Sequence, residues 1–361
     1  MKNIGVSFLV VIFSAIGLSG CRQQPKKTDN IEKEVKNNIV LADNADEAKI
    51  DVLVDGKLFT SYLYTDDLPV LKKTTLYPIN AANGATITRG YPIAPKGKER
   101  TDHPHHIGAW FNYGDVNGLD FWNNSDAIPE EQSDKMGTIR HDRIIAMDGG
   151  AGKAGLEVAA NWLKPDGSIL LKEDTKFVFY AKNGERIIDR VVTLKALDDP
   201  IVFKDNKEGM IAIRTARGLE HPSEKPVTLS DAQGNKTDVP VLDNEGVNGH
   251  YLSSTGIEGD AVWGTRAKWV ALYGTIDNKD VTVVIMDSPN NVGYPTYWHA
   301  RGYGLFAANP LGQKIFSDGK EVLNFSLLPN EAVTFTYRIA VFDGKIDKAQ
   351  LDKAYIDFAG N

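Results

Sequence analysis

A run of alternating apolar and polar residues between Leu156 and Leu197 is the feature that most constrains the fold. Two dipeptides interrupt the alternation, Asp166-Gly167 and Asn183-Gly184, and both are strong signals for the turn of a β-hairpin. Strands joined by such tight turns must be antiparallel, because parallel neighbours need a much longer crossover connection. This stretch therefore predicts an antiparallel meander.

Further hairpin signals occur around Asp55-Gly56, at residues 277–279 and at Pro329-Asn330. A clear helical period appears only near the end, in KIDKAQLDKAYIDF, residues 345–358. No strand is followed by a helix of crossover length, and no Pro- or Gly-rich linker divides residues 49–361. We therefore predict an all-β fold, a large antiparallel β-sandwich in a single domain with a short C-terminal helix.

Two stretches rich in Gly, Asn and Asp, residues 79–125 and 206–264, alternate only weakly. We predict that they form long loops. Long loops inside a compact domain are usually functional, so they are the first places to look for a site.

The N-terminal residues predict export. Residues 1–21 contain a lysine, an apolar run shorter than the roughly 20 residues of a membrane span, and LSGC, which resembles a bacterial lipobox. We expect a lipoprotein signal peptide with lipidation at Cys21, and an uncleaved anchor helix is the alternative. Residues 22–48 are polar and predict a flexible tether. Bacteroidetes lipoproteins exported to the cell surface usually carry an acidic run after the cysteine, whereas this chain has Arg22, so we expect an outer membrane lipoprotein that faces the periplasm.

The charge balance excludes one class of partner. Lys and Arg total 41 against 48 for Asp and Glu, which gives a formal net charge of −7. Such a chain has no basic field to attract nucleic acid, so no nucleic-acid partner is expected.

The most polar stretch is RTDHPHHIGAWFNYGDVNGLDFWNN, residues 100–124. Its histidines, carboxylates and amides can hydrogen-bond hydroxyl groups in pairs, and its tryptophans offer flat apolar walls. These are the needs of a bound sugar ring. The substrate-binding candidates in this stretch are His103, Trp110, Asn117, Asp120 and Trp122.

A second polar stretch, PTYWHARGYGLFAANPLG at residues 295–312, has a similar composition. Between the two stretches lie TIRH at 138–141 and DNKEGMIAIRTAR at 205–217. We expect the stretches at 100–124 and 295–312 to line one cleft. Further binding candidates are Arg89, His141, Lys207, Arg214, Arg301 and Tyr303.

A metal site is the main alternative use of the histidines. His103 and His105 stand in a His-x-His arrangement, and Asp102 or His141 could complete a set of ligands. The segment lacks a fixed metal-binding spacing, so the identity of any cofactor stays open and a divalent cation remains an alternative.

The segments TRGYPIAPKGKERTDHPHHIGAWFNYGDVNGLDFW, GTIRH, KEGMIAIR and YWHARGYGLFAANPLG together resemble the DUF6807 family over residues 49–344. Members often carry the label of a methane oxygenase, but that enzyme's membrane subunits are helix bundles, and this chain has no run of 18 apolar residues after Cys21. The resemblance implies a carbohydrate context. The predicted domain is also similar to the galactose-mutarotase-like sandwich, whose concave sheet binds sugars. One departure is Ala109, where the family usually has a large apolar residue, and we expect it to widen the pocket.

Two functions follow as hypotheses. The first is an enzyme, a hydrolase, lyase or epimerase acting on a saccharide or an oxidised sugar glycoside. His106 and His299 would be its acid and base, and Glu208 or Asp115 would orient one of them. The cations Arg89, Arg214 and Arg301 would hold carboxylate or enolate oxygens.

The second hypothesis is a non-catalytic glycan-binding lipoprotein in which the same residues only recognise a sugar. It predicts exposed tryptophans on a shallow face. The enzyme predicts buried histidines that converge in a deep cleft.

Overall fold

The computed structural model describes residues 1–2, 5–11, 37–182 and 184–360. The chain divides into two units, Met1–Val35 and Lys36–Asn361. Within the described residues of the second unit the first strands are β1 (Asn38–Asn44), β2 (Lys49–Val54), β3 (Lys57–Leu63), β4 (Thr75–Ile79), β5 (Ala109–Tyr113), β6 (Thr138–Asp148), β7 (Gly150–Ala151), β8 (Lys153–Leu163), β9 (Ile169–Lys182) and β10 (Glu185–Ala196). They are followed by β11 (Ile201–Phe203), β12 (Gly209–Arg214), β13 (His250–Ser253), β14 (Trp269–Ile276), β15 (Lys279–Asp287), β16 (Tyr297–Arg301), β17 (Leu305–Asn309), β18 (Phe325–Leu327) and β19 (Ala332–Asp343). The α-helices are α1 (Gln313–Phe316) and α2 (Lys348–Ala359), and short 3-10 turns cover Ala45–Glu47, Glu130–Lys135, Arg217–Leu219 and Gly259–Val262.

The strands form two large sheets. One sheet has the order β16-β17-β12-β5-β4-β3-β2-β1-β7, the other has the order β13-β14-β15-β19-β10-β9-β8-β6, and β11 pairs with β18. Neighbouring strands are antiparallel throughout these sheets. The sheets pack face to face, as shown by the rings of Phe59 and Phe179, with centroids 6.2 Å apart, and of Phe111 and Phe335, 6.0 Å apart. The predicted antiparallel β-sandwich is confirmed.

The meander predicted from the alternating sequence is β8, β9 and β10. β9 pairs with β8 on one side and β10 on the other, in continuous antiparallel registers. Along β9 buried residues such as Phe177 and Phe179 alternate with more exposed ones such as Lys176. Phe177 and Phe179 face the core together with the buried Glu173 and Thr175, and intervening residues such as Lys176 face solvent, as the period of two requires.

The predicted C-terminal helix is α2. Asp347 caps its first turn in a capping box with Gln350, which satisfies backbone donors at the helix start. The helix buries Leu351, Tyr355 and Phe358 against the outer face of the eight-stranded sheet. Burial of that apolar stripe holds the helix on the sandwich.

The predicted tether at 22–48 is wrong from residue 38 onward. β1 pairs with β2 over six residue pairs and with β7 over two, and Ile39 is buried in the main core. The sequence did not reveal this strand, because few of its residues are buried. Cys21 and residues 22–36 lie outside the described residues, as does most of the expected signal peptide. Within the described residues, no helix has both the length and the apolar character needed to span a bilayer.

The two predicted long loops contain strands. β5 lies in the first and β12 in the second, and they are hydrogen-bonded neighbours in the nine-stranded sheet. All residues of both strands are buried. Strands covered on both faces lose the alternating pattern, which explains why the sequence did not reveal them.

Candidate functional site

Four neighbouring strands build the floor of the candidate site. Their registers place His299 of β16, Ala307 of β17, Ala212 of β12 and Trp110 of β5 in one row across the sheet. The alternate residues of these strands, such as Phe111, belong to the core between the sheets. The row therefore lies on the opposite face, with two small alanines between the histidine and the tryptophan.

The loop that contains DHPHH covers this floor. His103 and His106 stack with ring centroids 4.9 Å apart and 4° between their planes, and His106 stacks on Trp110 at 5.1 Å. On the second segment, Tyr303 stacks on His103 at 5.2 Å. The two polar stretches are thus brought together in one site, as the sequence predicted.

The entry of this loop into β5 depends on a glycine. Gly108 has a φ of +62°, and a Cβ at that position would lie 2.2 Å from the Leu76 carbonyl oxygen. Any other residue would displace the chain. His103 has a φ of 44°, a left-handed conformation that non-glycine residues rarely adopt and that is enriched at functional sites.

Asp102 is the electrostatic centre of the loop. Its Oδ1 accepts hydrogen bonds from Arg214 Nη2 at 2.6 Å and from Arg89 Nη1 at 3.0 Å, and its Oδ2 lies 3.3 Å from His103 Nδ1. Burial acts to raise the pKa of this carboxyl, but Arg214, His103 and Arg89 outweigh it and hold the pKa well below its usual range. Asp102 therefore remains a carboxylate.

Arg89 holds the loop. Its guanidinium donates to the carbonyl oxygens of Arg100, Asp102, His103 and His106 at 2.8–3.2 Å. Burial, with Arg214 adding to it, lowers the pKa of Arg89 to about 9. Because these N–H groups already donate to carbonyl oxygens of the loop, the role of Arg89 is to hold the loop in place.

The tautomer of His106 follows from its neighbour. Arg214 Nη1 lies 3.4 Å from His106 Nδ1, and a guanidinium can only donate, so Nδ1 accepts and Nε2 carries the proton. Burial, with His105 and Arg214 adding to it, lowers the pKa of His106 well below its usual value. Its Nε2 is buried and has no hydrogen-bond partner among the described residues. His106 is therefore a neutral donor with an unused N–H.

Other buried polar atoms of this region share that condition. Buried polar groups normally have partners, so a local concentration of unpaired ones marks a place where a ligand can bind. In the described part of the chain these unpaired atoms include His105 Nε2, Trp110 Nε1, Arg214 Nε and Glu220 Oε1. Glu220 is bound through Oε2 to Arg100 at 2.7 Å, and burial raises its pKa.

His299 has the opposite tautomer. Its Nδ1 lies 3.0 Å from the Lys207 carbonyl oxygen, which can only accept, so the lone pair is on Nε2. Glu208 Oε2 lies 3.6 Å from the same Nδ1, and Glu208 Oε1 bonds Lys207 Nζ at 3.0 Å. Burial, with Lys207 and Arg301 adding to it, lowers the pKa of His299 to about 3. At neutral pH His299 is an uncharged base with a carboxylate behind it.

Tyr303 connects the two parts of the site. Burial, opposed by Arg214 and Arg301 and supported by Glu208 and Asp102, raises its pKa to about 12. The Arg214 guanidinium lies 5.0 Å from the centre of its ring. Tyr303 is therefore within electrostatic range of both the Glu208 carboxylate and the Asp102 carboxylate.

Lys73, just before β4, is a residue that the sequence analysis missed. It is 3% exposed, its Nζ donates to the His105 carbonyl oxygen at 2.8 Å, and the ammonium lies 5.5 Å from the centre of the Trp110 ring. Burial lowers its pKa to about 7, although Asp120 opposes the shift. Nothing in the sequence distinguishes this lysine from its neighbour Lys72.

Several predicted site residues do not join this cluster. Asp115 accepts from the Gly118 backbone, and among the described residues it contacts neither His106 nor His299. Asn117 bonds the Pro200 carbonyl and the Val202 amide in the connection around β11. His141 Nδ1 pairs with the Tyr62 hydroxyl at 3.2 Å, and its ring packs against Tyr64.

Three other predicted features have structural explanations. Asp120 accepts from the backbone of Trp122 and Asn123 and so positions Trp122, whose ring packs edge-on against His106 at 5.6 Å. Ala109 faces the core between the sheets, on the opposite side of β5 from Trp110, so it does not widen the pocket. Among the described residues, Arg301 contacts the site through Tyr303, 5.9 Å from its ring centre.

The metal alternative is not supported by this geometry. Across residues 37–182 and 184–360, no three His, Cys, Asp or Glu side chains converge so that they could hold a metal ion. The proposed set of His103, His105 and Asp102 fails because the oxygens of Asp102 face two guanidinium groups and His103.

The fold and site define an antiparallel β-sandwich protein with a buried polar site where its nine-stranded sheet is covered by loops. This chain belongs to the DUF6807 family, described as a family of unknown function, whose model matches residues 49–356. The resemblance noted from the motifs is thereby confirmed. No curated protein matches the sequence of this chain.

Solved structures similar to this chain include two α-galactosidases. The GH36 enzyme AgaB from Geobacillus stearothermophilus is 11% identical, with a TM-score of 0.38 over 84% of this chain and 41% of that chain. The enzyme from Lactobacillus brevis is 9% identical, with a TM-score of 0.41 over 87% and 40%. This chain thus spans less than half the length of either. A galactose 1-epimerase from Lactobacillus acidophilus NCFM is 11% identical, with a TM-score of 0.35 over 86% and 100%.

Proposed function

We propose that this protein is a carbohydrate-active enzyme that acts on a saccharide or an oxidised sugar glycoside by proton transfer. The observation that carries the proposal is the pair of buried histidines with opposite tautomers. His106 presents an unused N–H and His299 presents a lone pair, on the same covered face of the sheet. Acid–base chemistry on a sugar needs one group of each kind.

His299 is the proton acceptor in this proposal. Its Nδ1–H is held by the Lys207 carbonyl, and Glu208, 3.6 Å away, stabilises the imidazolium that forms when Nε2 takes a proton. Of the two carboxylates considered from the sequence, Glu208 is the one in position.

His106 is a hydrogen-bond donor and not a strong acid, because burial keeps it neutral. Its Nε2–H and the Trp110 indole N–H are suited to bind a hydroxyl or a developing oxyanion, since both are buried and unpaired among the described residues. Arg214 fixes the donor tautomer from the other side of the ring. The reaction class, hydrolysis, elimination or epimerisation, depends on which sugar bond lies beside His299.

The burial of the aromatic residues supports an enzyme over a simple binding protein. Trp110 and Trp122 are at most 1% exposed, and His106 and His299 at most 3%. A shallow glycan-binding face would expose its tryptophans. Buried histidines around unpaired donors correspond to the enzyme hypothesis.

The test is turnover of saccharides and of oxidised sugar glycosides by the purified protein and by His299→Asn. Asparagine keeps a donor for the Lys207 carbonyl but removes the base, so kcat should fall about 10²- to 10⁴-fold. His250→Asn is the matched control, because His250 is half exposed and pairs with Glu258 at the surface. Undiminished turnover in folded His299→Asn would contradict the proposal. Tight calorimetric binding of an oligosaccharide that stays intact would establish the binding protein instead.

We further propose that the protein is a lipoprotein held at the outer membrane and facing the periplasm. The support is the lipobox-like LSGC ending at Cys21 and the absence of an acidic run in the residues after it. Metabolic labelling with palmitate should mark the wild type and not Cys21→Ser. Protease added to intact cells should leave the protein uncut; its degradation would place it on the cell surface.

A further inference from the structure

A cavity lies next to the candidate site, on the side where Tyr303 is found. Its volume is about 700 Å³, in the range of small-molecule sites. The side chains that matter for its chemistry are Arg100, His221, Asp260, Trp263, Arg301 and Tyr303. Only Arg301 and Tyr303 were expected from the sequence, so the cavity adds a new wall to the candidate site.

Arg301 differs from the other arginines around the site. Arg89 and Arg214 are paired with Asp102, and Arg100 is paired with Glu220. Among the described residues, the guanidinium of Arg301 has no carboxylate within 4.0 Å. It lies between two aromatic rings instead, 5.6 Å from the centre of Trp263 and 5.9 Å from that of Tyr303. Its planar donors are held by stacking and are available for an oxygen pair.

The remaining walls suit a sugar ring. Trp263 is 38% exposed and offers an aromatic face to C–H groups. Asp260 bonds His221 Nδ1 through Oδ1 at 2.9 Å, with 76% of its side chain exposed, so its second oxygen can accept from a hydroxyl. An aromatic face, a hydroxyl acceptor and an unpaired guanidinium therefore line one cavity.

We propose that this cavity is a subsite for an acidic sugar, in which Arg301 binds the carboxylate of a hexuronate and Trp263 packs against its ring. Arginine and carboxylate form two parallel hydrogen bonds, which fixes the orientation of the sugar as well as adding affinity. The inference rests on the proposed function, because it names the class of substrate that reaches His299.

The position of Arg301 links this subsite to the base. Arg301 and His299 are two residues apart on β16, so their side chains leave the same face of the sheet. Arg301 is one of the cations that lower the pKa of His299. A carboxylate bound to Arg301 offsets that cation, so the acidic substrate raises the pKa of His299 and makes it a stronger base.

The test compares disaccharides that end in glucuronate or galacturonate with those that end in glucose or galactose, by titration calorimetry on the full protein. The wild type should bind at least one acidic member about tenfold more tightly than its neutral counterpart. Arg301→Gln should remove that preference, so that the acidic and neutral members bind with similar affinity, Arg301→Lys should keep part of it, and Trp263→Ala should weaken the binding of both. Arg140→Gln, an exposed arginine beside Asp66, is the control that should change nothing.

Equal affinity for acidic and neutral sugars, an unchanged preference in Arg301→Gln, or no binding of the acidic sugars would each overturn the subsite. Its failure is separable from that of the proposed enzyme. Turnover that depends on His299 but shows no preference for acidic over neutral sugars would remove the acidic subsite and keep the enzyme. Selective binding of a hexuronate without turnover would keep the subsite and remove the enzyme.

Discussion

Two regions of the molecule differ in strand length and in exposure to solvent. They are the meander of β8, β9 and β10 and the four-strand floor of β5, β12, β17 and β16. The meander has long strands with one buried face and one face in contact with solvent. The floor has strands of five or six residues, and nearly every residue in them is buried. Water solvates the outward polar side chains of the meander, although Glu173 and Arg190 pair with each other on its inward face. The polar side chains of the floor must find partners in the protein or in a ligand. This difference is the reason why we place the proposed site on the sheet face that loops have covered.

Charge pairs show the same contrast. Lys176 and Glu157 pair across β9 and β8 with 54% and 36% of their side chains exposed, where water and salt weaken the attraction. Arg214 is fully buried beneath the histidine loop and pairs with Asp102, whose side chain is 36% exposed. A buried charge without its partner is costly, so only the second pair should be indispensable.

The largest expected effect comes from Arg214→Met. It removes the main partner of Asp102 and the donor that fixes the His106 tautomer, and should lower the free energy of unfolding by about 2–4 kcal/mol. Lys176→Met, the matched change on the meander, should cost less than about 1 kcal/mol. Urea unfolding of both variants measures the difference, and equal losses would remove the distinction between the two regions.

The next effect tests the floor itself. Ala212→Leu adds three carbon atoms where Trp110, Trp122 and Ala307 already fill the space, and overpacking of this kind costs about 1–3 kcal/mol. The exposed Ala146 on β6 is the control, since Ala146→Leu should stay within about 0.5 kcal/mol of the wild type. If Ala212→Leu left the free energy of unfolding unchanged, the covered face would contain enough empty space for the larger side chain.

Acid should destabilise the protein through the floor. Burial lowers the pKa of His299 to about 3, so in the folded state it stays neutral down to that pH, while the unfolded chain takes up the proton near pH 6.5. The stability that this histidine contributes is therefore present above pH 6.5 and is lost as the pH falls from 6.5 towards 3. His299→Asn should make the slope of unfolding free energy between pH 6 and pH 4 shallower by up to about 1.4 kcal/mol per pH unit.

The measurement is urea unfolding at several pH values, with His250→Asn as the surface control. The control should keep the slope of the wild type, because His250 is half exposed and lies outside the floor. An unchanged slope in His299→Asn would show that His299 is protonated in the folded state.

The smallest effect concerns Asn117, which the sequence proposed as a sugar ligand. Its amide bonds the connection between β10 and β11, so Asn117→Ala should cost about 1 kcal/mol in stability. Turnover and saccharide affinity should match the wild type, since the contacts of Asn117 lie away from the histidine loop. A large loss of affinity at unchanged stability would return Asn117 to the site.

The sequence allowed the meander and α2 to be predicted because their periods are visible when one face is polar and the other apolar. β5 and β12 could not be predicted in the same way, since AWFNY and GMIAIR are buried on both faces. The density of His, Arg and Trp in two segments was enough to predict that these segments lie against each other. Which histidine accepts and which donates depended on Arg214 and on the Lys207 carbonyl, which spacing along the chain does not specify.

The roles of individual residues were also difficult to predict from the sequence. Asp115 and Glu208 look equivalent in the sequence, yet one stabilises a turn and the other lies beside His299. Lys73 stands in a segment with no unusual composition. Asp260 and Trp263 lie near the end of the 206–264 stretch, and the sequence did not single them out among its other residues. These roles depend on tertiary contacts, which the local sequence does not specify.

The strand order has a practical consequence for handling the protein. β16 opens the nine-stranded sheet and β1 is seven strands further along, so at about 4.8 Å per strand they are separated by roughly 30 Å of sheet. A resin, a dye or a fused domain attached ahead of Asn38 would therefore be attached near the edge of the sheet that is opposite to Arg301. Immobilised protein prepared in that way should still admit bulky glycans.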